Sequence, residues 1–170
     1  MVIKIKPRFT DAQIKALLKG KLEIIINAYI QRLRYIGEEF VKNARESGSY
    51  TDRTGNLRNS IGYVILRDGE QIEVNFKRSV SPQQPDAAKG DDAQKVPDKT
   101  DENGVDTGLA KAMEIAEKFP KGLALICVAG MNYAAAVESL GFDVISSSSI
   151  IARDHLVKAI ESIYKKVQKL

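Results

Sequence analysis

One histidine, one cysteine and a run of clustered acids are the residues of this chain whose types suit catalysis or metal binding. His155 lies in Arg153-Asp154-His155, on the first turns of an expected helix, and reads as a surface residue. A single histidine excludes sites built from several imidazoles. Cys127 sits in the apolar run Leu123-Ala124-Leu125-Ile126-Cys127-Val128. It has no partner for an intrachain disulfide and reads as a small buried hydrophobe rather than a nucleophile. Asp91-Asp92 and Asp98-x-x-Asp101-Glu102 offer oxygen ligands for a divalent cation. Their spacing is not that of a calcium loop, and a solvated charge run is expected. There is no glycine loop ending in Lys-Ser/Thr and no nucleophile elbow. The sequence therefore predicts no enzyme, no cofactor and no resident metal.

Arginine chemistry is more prominent. Arg53 and Arg58 flank a glycine turn, and Arg32, Arg34, Lys42 and Arg45 lie on the expected first helix. Such a surface can contact backbone phosphates. Only 6% of residues are aromatic and no helix-turn-helix pair is visible, so sequence-specific reading is not expected. Incidental contact with passing DNA, or a small basic nucleic-acid-binding protein, stays open as a reading of another class.

The elements that must position these residues follow from composition and pattern. The 170 residues suit one domain, are 44% apolar and carry a net charge of +4. Residues 79–106 hold three lysines against seven acids, a net of −4, which leaves +8 on the remainder. A basic body and an acidic loop can attract one another between subunits. No apolar run approaches the ~18 residues of a membrane-spanning helix, and the N-terminus alternates apolar and basic residues, unlike a secretory signal. Assembly in a cytoplasm and no membrane partner are expected.

Residues 10–46 predict a helix capped by Thr10 or Asp11. Ile14, Leu18, Leu22, Ile25, Tyr29, Leu33, Ile36 and Phe40 recur at helical spacing on one face. Unbroken, it would run on the order of 50 Å. Either Gly20 and Gly37 interrupt it, or part of the apolar stripe awaits another subunit. Residues 61–66 and 71–76 predict a hairpin around Arg67-Asp68-Gly69-Glu70. Ile72, Val74 and Phe76 alternate with Glu73 and Asn75, which predicts one wet face. Residues 79–106, with three prolines and many charges, bury too little to offset ordering entropy and predict a long mobile loop. Thr107 opens a helix to about Phe119, and Leu123–Val128 predicts a central strand. Tyr133–Leu140 predicts a short helix closed by Gly141, and Phe142–Ile145 a short strand. Ser148 or Ser149 caps a last helix whose Leu156, Ile160, Ile163, Val167 and Leu170 form a seam; packing on a sheet is favoured over a coiled coil. The fold class is α+β: a small, mostly antiparallel sheet with a hairpin, flanked by a long N-terminal and a C-terminal helix.

Two segments carry a resemblance. Thr54-Gly55-Asn56-Leu57-Arg58-Asn59-Ser60-Ile61 resembles the Thr-Gly-x-Leu-Arg-x-Ser-Ile pattern of neck and tail-completion proteins of tailed bacteriophages. Tyr133-Ala134, with Val137-Glu138 and Gly141, is similar to that family's Tyr-Ala…Val-Glu-x-Gly element, although Ser139 and Leu140 separate the Glu from the Gly here. The order of elements also resembles the family's. The resemblance implies a virion protein in a homo-oligomeric ring at the head–tail junction, with neck, portal-adaptor or tail proteins as partners. A tail-terminator or minor capsid role is the near alternative. The implied structural or interface residues are Arg53, Thr54, Gly55, Leu57, Arg58, Ser60, Tyr133, Ala134, Val137, Glu138 and Gly141. Physically, Gly55 permits a turn that a Cβ would hinder. Leu57 and Ile61 can anchor it to the core, and Arg58 can make a forked pair with a carboxylate, Glu138 being the candidate within the chain or across a subunit boundary.

Overall fold

The computed structural model describes residues 9–52, 54–78 and 103–168. Arg53 and residues 79–102 of the expected loop lie outside the described residues. Helix α1 spans Asp11–Ser47, α2 Asn56–Asn59, β1 Ile61–Arg67, β2 Glu70–Asn75, α3 Gly104–Ala116, β3 Leu123–Ala129, α4 Ala134–Ser139 and α5 Ser146–Val167. The architecture is α+β, as the pattern predicts: a three-stranded antiparallel sheet with a hairpin, a long N-terminal helix and a C-terminal helix.

Helix α1 is continuous through Gly20 and Gly37. Its start is fixed by a capping box: Thr10 Oγ1 accepts from the Gln13 amide at 3.3 Å, and Gln13 Oε1 accepts from the Thr10 amide at 2.9 Å. The hairpin turns on Asp68 (φ +53°) and Gly69 (φ +82°), the pair of positive φ values that a two-residue turn demands. The strands lie in the order β2-β1-β3, so β1 is central, not β3. The unbroken apolar run of β3 reflects helices over both of its faces rather than strands on both sides. β1 is paired with Asn75 to Glu70 on one side and with Ala129 to Leu123 on the other.

The sheet divides the core in two. Ile61, Tyr63 and Ile65 face α1 with Leu33, Phe40 and Val41. Val64, Leu66 and Phe76 face α3 with Ala112 and Ala116. Residues 61 and 63–66 are at most 1% exposed, and each large apolar side chain so buried contributes ~1.5–3 kcal/mol. The polar face of β2 is only partly wet: Gln71 is exposed, Glu73 is half-buried and Asn75 is buried. Asn75 and Glu73 lie beside Tyr63 and Ile65 beneath α1. The Tyr63 hydroxyl lies 2.9 Å from Glu38 Oε1 and 3.2 Å from Glu73 Oε1, and Asn75 Nδ2 donates to Glu38 Oε1 at 2.7 Å. Arg34 Nε grips both Glu73 oxygens at 2.8 and 2.6 Å. The polar residues are there because α1 brings its own carboxylate and guanidinium down to meet them.

Three other expectations are corrected. α3 begins at Gly104, because the Asn103 side chain accepts from the Val105 amide at 3.2 Å; residues 103–106 are a helix start rather than loop. Phe142–Ile145 is not a strand but the lead into α5. α5 packs chiefly along α1, with His155 Nδ1 3.1 Å from Glu39 Oε2, rather than across the sheet. α1 already covers β1, so α5 has only the flank over β3.

Gly37 and Gly20 make a testable contrast. A Cβ on Gly37 would meet the buried Tyr63 ring at 2.7 Å, whereas one on Gly20 would meet nothing within 4 Å. Gly37→Ala is expected to lower stability by about 1–3 kcal/mol despite its better helix propensity. Gly20→Ala is expected to raise it by up to about 1 kcal/mol. Paired thermal melts check both.

Candidate functional site: a joint between two motifs and an uncovered apolar surface

The two motif segments meet at one end of the sheet. Gly55 holds the left-handed conformation (φ +75°) that starts the single turn α2. Thr54 Oγ1 accepts from the Asn56 amide at 3.3 Å. Leu57 and Ile61 are 2% and 0% exposed, so the turn is anchored as expected. Ser60 joins the segments. Its carbonyl accepts from the Gly130 amide at 3.2 Å, and its hydroxyl oxygen accepts from the Met131 amide at 3.3 Å. That hydroxyl donates to the Leu57 carbonyl at 2.8 Å. Ala134 is buried and Val137 packs on the same core, while Gly141 (φ +89°) closes α4. Tyr133 stays 39% exposed.

Within the subunit, Arg58 and Glu138 do not pair. Arg58 Nη2 donates to the Gly48 and Tyr50 carbonyls at 3.3 and 3.5 Å, and its guanidinium sits 5.2 Å from the Tyr50 ring centre. It thus serves the orphan carbonyls where α1 ends. Burial pushes the Tyr50 hydroxyl up to about 12. Glu138 instead caps α5. One oxygen, Oε1, accepts from the Ile145 amide, the Ser146 amide and the Ser146 hydroxyl, each at 2.9 Å. Asp143 Oδ1 accepts from the Ser147 amide at 3.1 Å. Neither Ser148 nor Ser149 is the cap, because the two carboxylates reach the start of α5 first. Burial alone would raise the Glu138 pKa; the amide and hydroxyl donors outweigh it and hold the carboxyl below its usual range.

Asp52 is the member that sequence reasoning missed. It is 5% exposed and accepts from the Gly55 amide at 2.9 Å and the Arg58 amide at 2.8 Å, so it caps the start of α2. A carboxylate two residues before a Thr-Gly turn was the available signal. Arg45 adds a bond from Nη2 to the Ile61 carbonyl at 2.7 Å. Arg34, Arg45 and Arg58 are therefore engaged inside the subunit, which removes three of the cations available to phosphate.

No reactive constellation accompanies the joint. Burial pushes the Cys127 thiol up to about 12, where little thiolate exists at neutral pH. Among the described residues no group of three or more His, Cys, Asp or Glu is placed to hold a metal ion, and no helix is long and apolar enough to cross a membrane.

What the subunit does present is apolar surface. Residues 11–22 of α1 are exposed all round. The bidentate pair of Glu23 with Arg67, at 2.9 and 2.6 Å, marks where the helix reaches the sheet. Beyond it Leu17, Leu18 and Leu22 are 62%, 61% and 54% exposed. Farther along α1 an open groove of about 680 Å³ runs between Tyr29 and Leu33 of α1, Leu125 and Cys127 of β3, and Leu156 and Ile160 of α5. Comparison with family models, with curated proteins and with solved structures gives no match.

Two substitutions probe the joint. Asp52→Ala leaves two buried amides without an acceptor and is expected to cost about 1–3 kcal/mol. Glu138→Gln is expected to cost about 1–2 kcal/mol at pH 7. The folded pKa of Glu138 is depressed, so its contribution is full above the ordinary carboxylate pKa and fades as pH falls through the folded value. The deficit of E138Q should therefore shrink toward acid pH, as denaturant titrations between pH 7 and 3 would show.

Proposed function

We propose that this chain is a structural virion protein of a tailed bacteriophage. In this reading it forms a homo-oligomeric ring around the DNA channel, in the head–tail connector or neck or completing the tail. It assembles in the host cytoplasm and meets neck, portal-adaptor or tail proteins. The observation that carries the reading is the uncovered apolar N-terminal third of α1. A capped helix of 37 residues is longer than the body it packs on, and its free end is too apolar to be a solvated arm.

The motif residues support a structural role. Gly55, Leu57, Ser60, Ala134 and Glu138 shape and pin one end of the fold; the Ser60 hydroxyl is buried and the Glu138 carboxylate is taken up by the start of α5. Their work is to hold α1, α4 and α5 in fixed relation. A fixed relation between those helices is what a repeating subunit contact requires, since a small angular error would accumulate around a ring. The engagement of Arg34, Arg45 and Arg58 within the subunit weighs against a dedicated nucleic-acid binder and leaves DNA contact incidental.

Light scattering and negative-stain microscopy of the purified full-length chain test this. A closed ring of uniform subunit number, with a central opening wide enough for duplex DNA, is the expected result. A monomer at every concentration, or an open aggregate with no defined stoichiometry, contradicts it.

A further inference from the structure

We propose that the uncovered N-terminal third of α1 seats in the α1–β3–α5 groove of a second copy of this chain, head to tail. The inference rests on the assembly reading above and adds which two surfaces meet.

The ridge is large. Phe9, Ile14, Leu17, Leu18, Leu22 and Ile24 are 45% to 69% exposed. Scaled from the ~150–250 Å² of an aromatic side chain, with less for aliphatic ones, they leave on the order of 600 Å² of apolar surface in water. The largest apolar patch of a typical monomer is ~300–600 Å². A standard interface buries ~800 Å² on each partner. One docking of this ridge comes close to supplying one side of a stable interface.

The groove is its complement in chemistry. It is concave, its walls are mainly aliphatic, and its rim residue Ile160 is 46% exposed. A polar small molecule would find few convergent groups there to orient it. A ridge of leucine and isoleucine side chains needs none. The two surfaces are also separate. The α1 contribution to the groove begins at Tyr29, while the ridge ends at Ile24. One subunit can therefore insert its ridge into one neighbour and receive the ridge of another. That is a heterologous contact, the kind that propagates and closes into a ring. Pairing ridge with ridge would cover one surface, leave the groove open and stop at a dimer.

The single native cysteine makes the contact measurable, because Cys127 lines the groove. Single cysteines are placed along the ridge at positions 14, 17, 18, 21 and 22, and the full-length protein is treated with copper phenanthroline. A disulfide-linked ladder from at least one position is expected, and Cys127→Ser in the same chain is expected to abolish it. Leu18→Asp is the second variant. Leu18 is 61% exposed in the lone subunit, so the variant is expected to keep the circular dichroism of a folded chain and to weaken association at least tenfold. Cross-links that persist after C127S show ridge against ridge and overturn the proposal. An oligomer that survives L18D, with no ladder from any position, overturns this docking and leaves the ring reading standing. A wild-type chain that is monomeric throughout overturns both.

Discussion

A helix longer than its support is the constraint on which the rest of this structure depends. At ~1.5 Å per residue, the 37 residues of α1 span roughly 55 Å. The seven residues of β1 beneath it span about 23 Å, and the 22 residues of α5 beside it about 33 Å. No arrangement of these elements covers α1 from end to end. The capping box at Thr10 nevertheless fixes the helix start at the far end, so the overhang is encoded and is not a ragged terminus. Gly37 lets the C-terminal part press onto the Tyr63 ring, and the Glu38–Tyr63–Asn75 bonds hold it there. The helix is thus clamped over its C-terminal part and bare over its first third.

That division separates stability from assembly. The joint around Ser60, Asp52, Arg58 and Glu138 belongs to the clamped part. Asp52, Arg58 and Glu138 each satisfy backbone groups that a helix end leaves open: Asp52 the start of α2, Arg58 the end of α1, Glu138 the start of α5. Their removal would expose buried amides and carbonyls rather than an interface. The bare third makes few contributions to the isolated fold, and an unsupported stretch of twelve residues is marginal as a helix in water. Association would supply both its burial and its order. The groove beside β3 has the same origin, because α1 lies over β1 and α5, displaced to the flank, does not close the space between them.

Periodicity and turn chemistry made much of this legible. Apolar residues at three- and four-residue spacing place α1, and Asp68-Gly69 places the hairpin. The stripe that outruns a compact body was visible as well. What escaped was set by three-dimensional partnership. The alternation in β2 reads as a wet face, yet α1 delivers Glu38 and Arg34 onto it. Phe142 to Ile145 is apolar enough for a strand, but no neighbouring strand takes it up, and only Val144 is buried. Four serines suggest their own cap, while the cap comes from Glu138, on the helix before. The continuous apolar run of β3 signals burial without saying whether strands or helices provide it. Arg58 beside a motif and Glu138 in another suggested a pair, but helix ends with orphan backbone groups lie nearer to each and take them first.

Hydrogen–deuterium exchange across a dilution series tests the central claim most directly. In a dilute, monomeric sample the amides of residues 11–22 are expected to exchange fast while those of β1 stay protected. As the concentration rises and the chain associates, the 11–22 amides are expected to become protected together with the groove-lining face of α5. Protection of 11–22 already complete in the monomer, or absent in the associated state, would contradict the account.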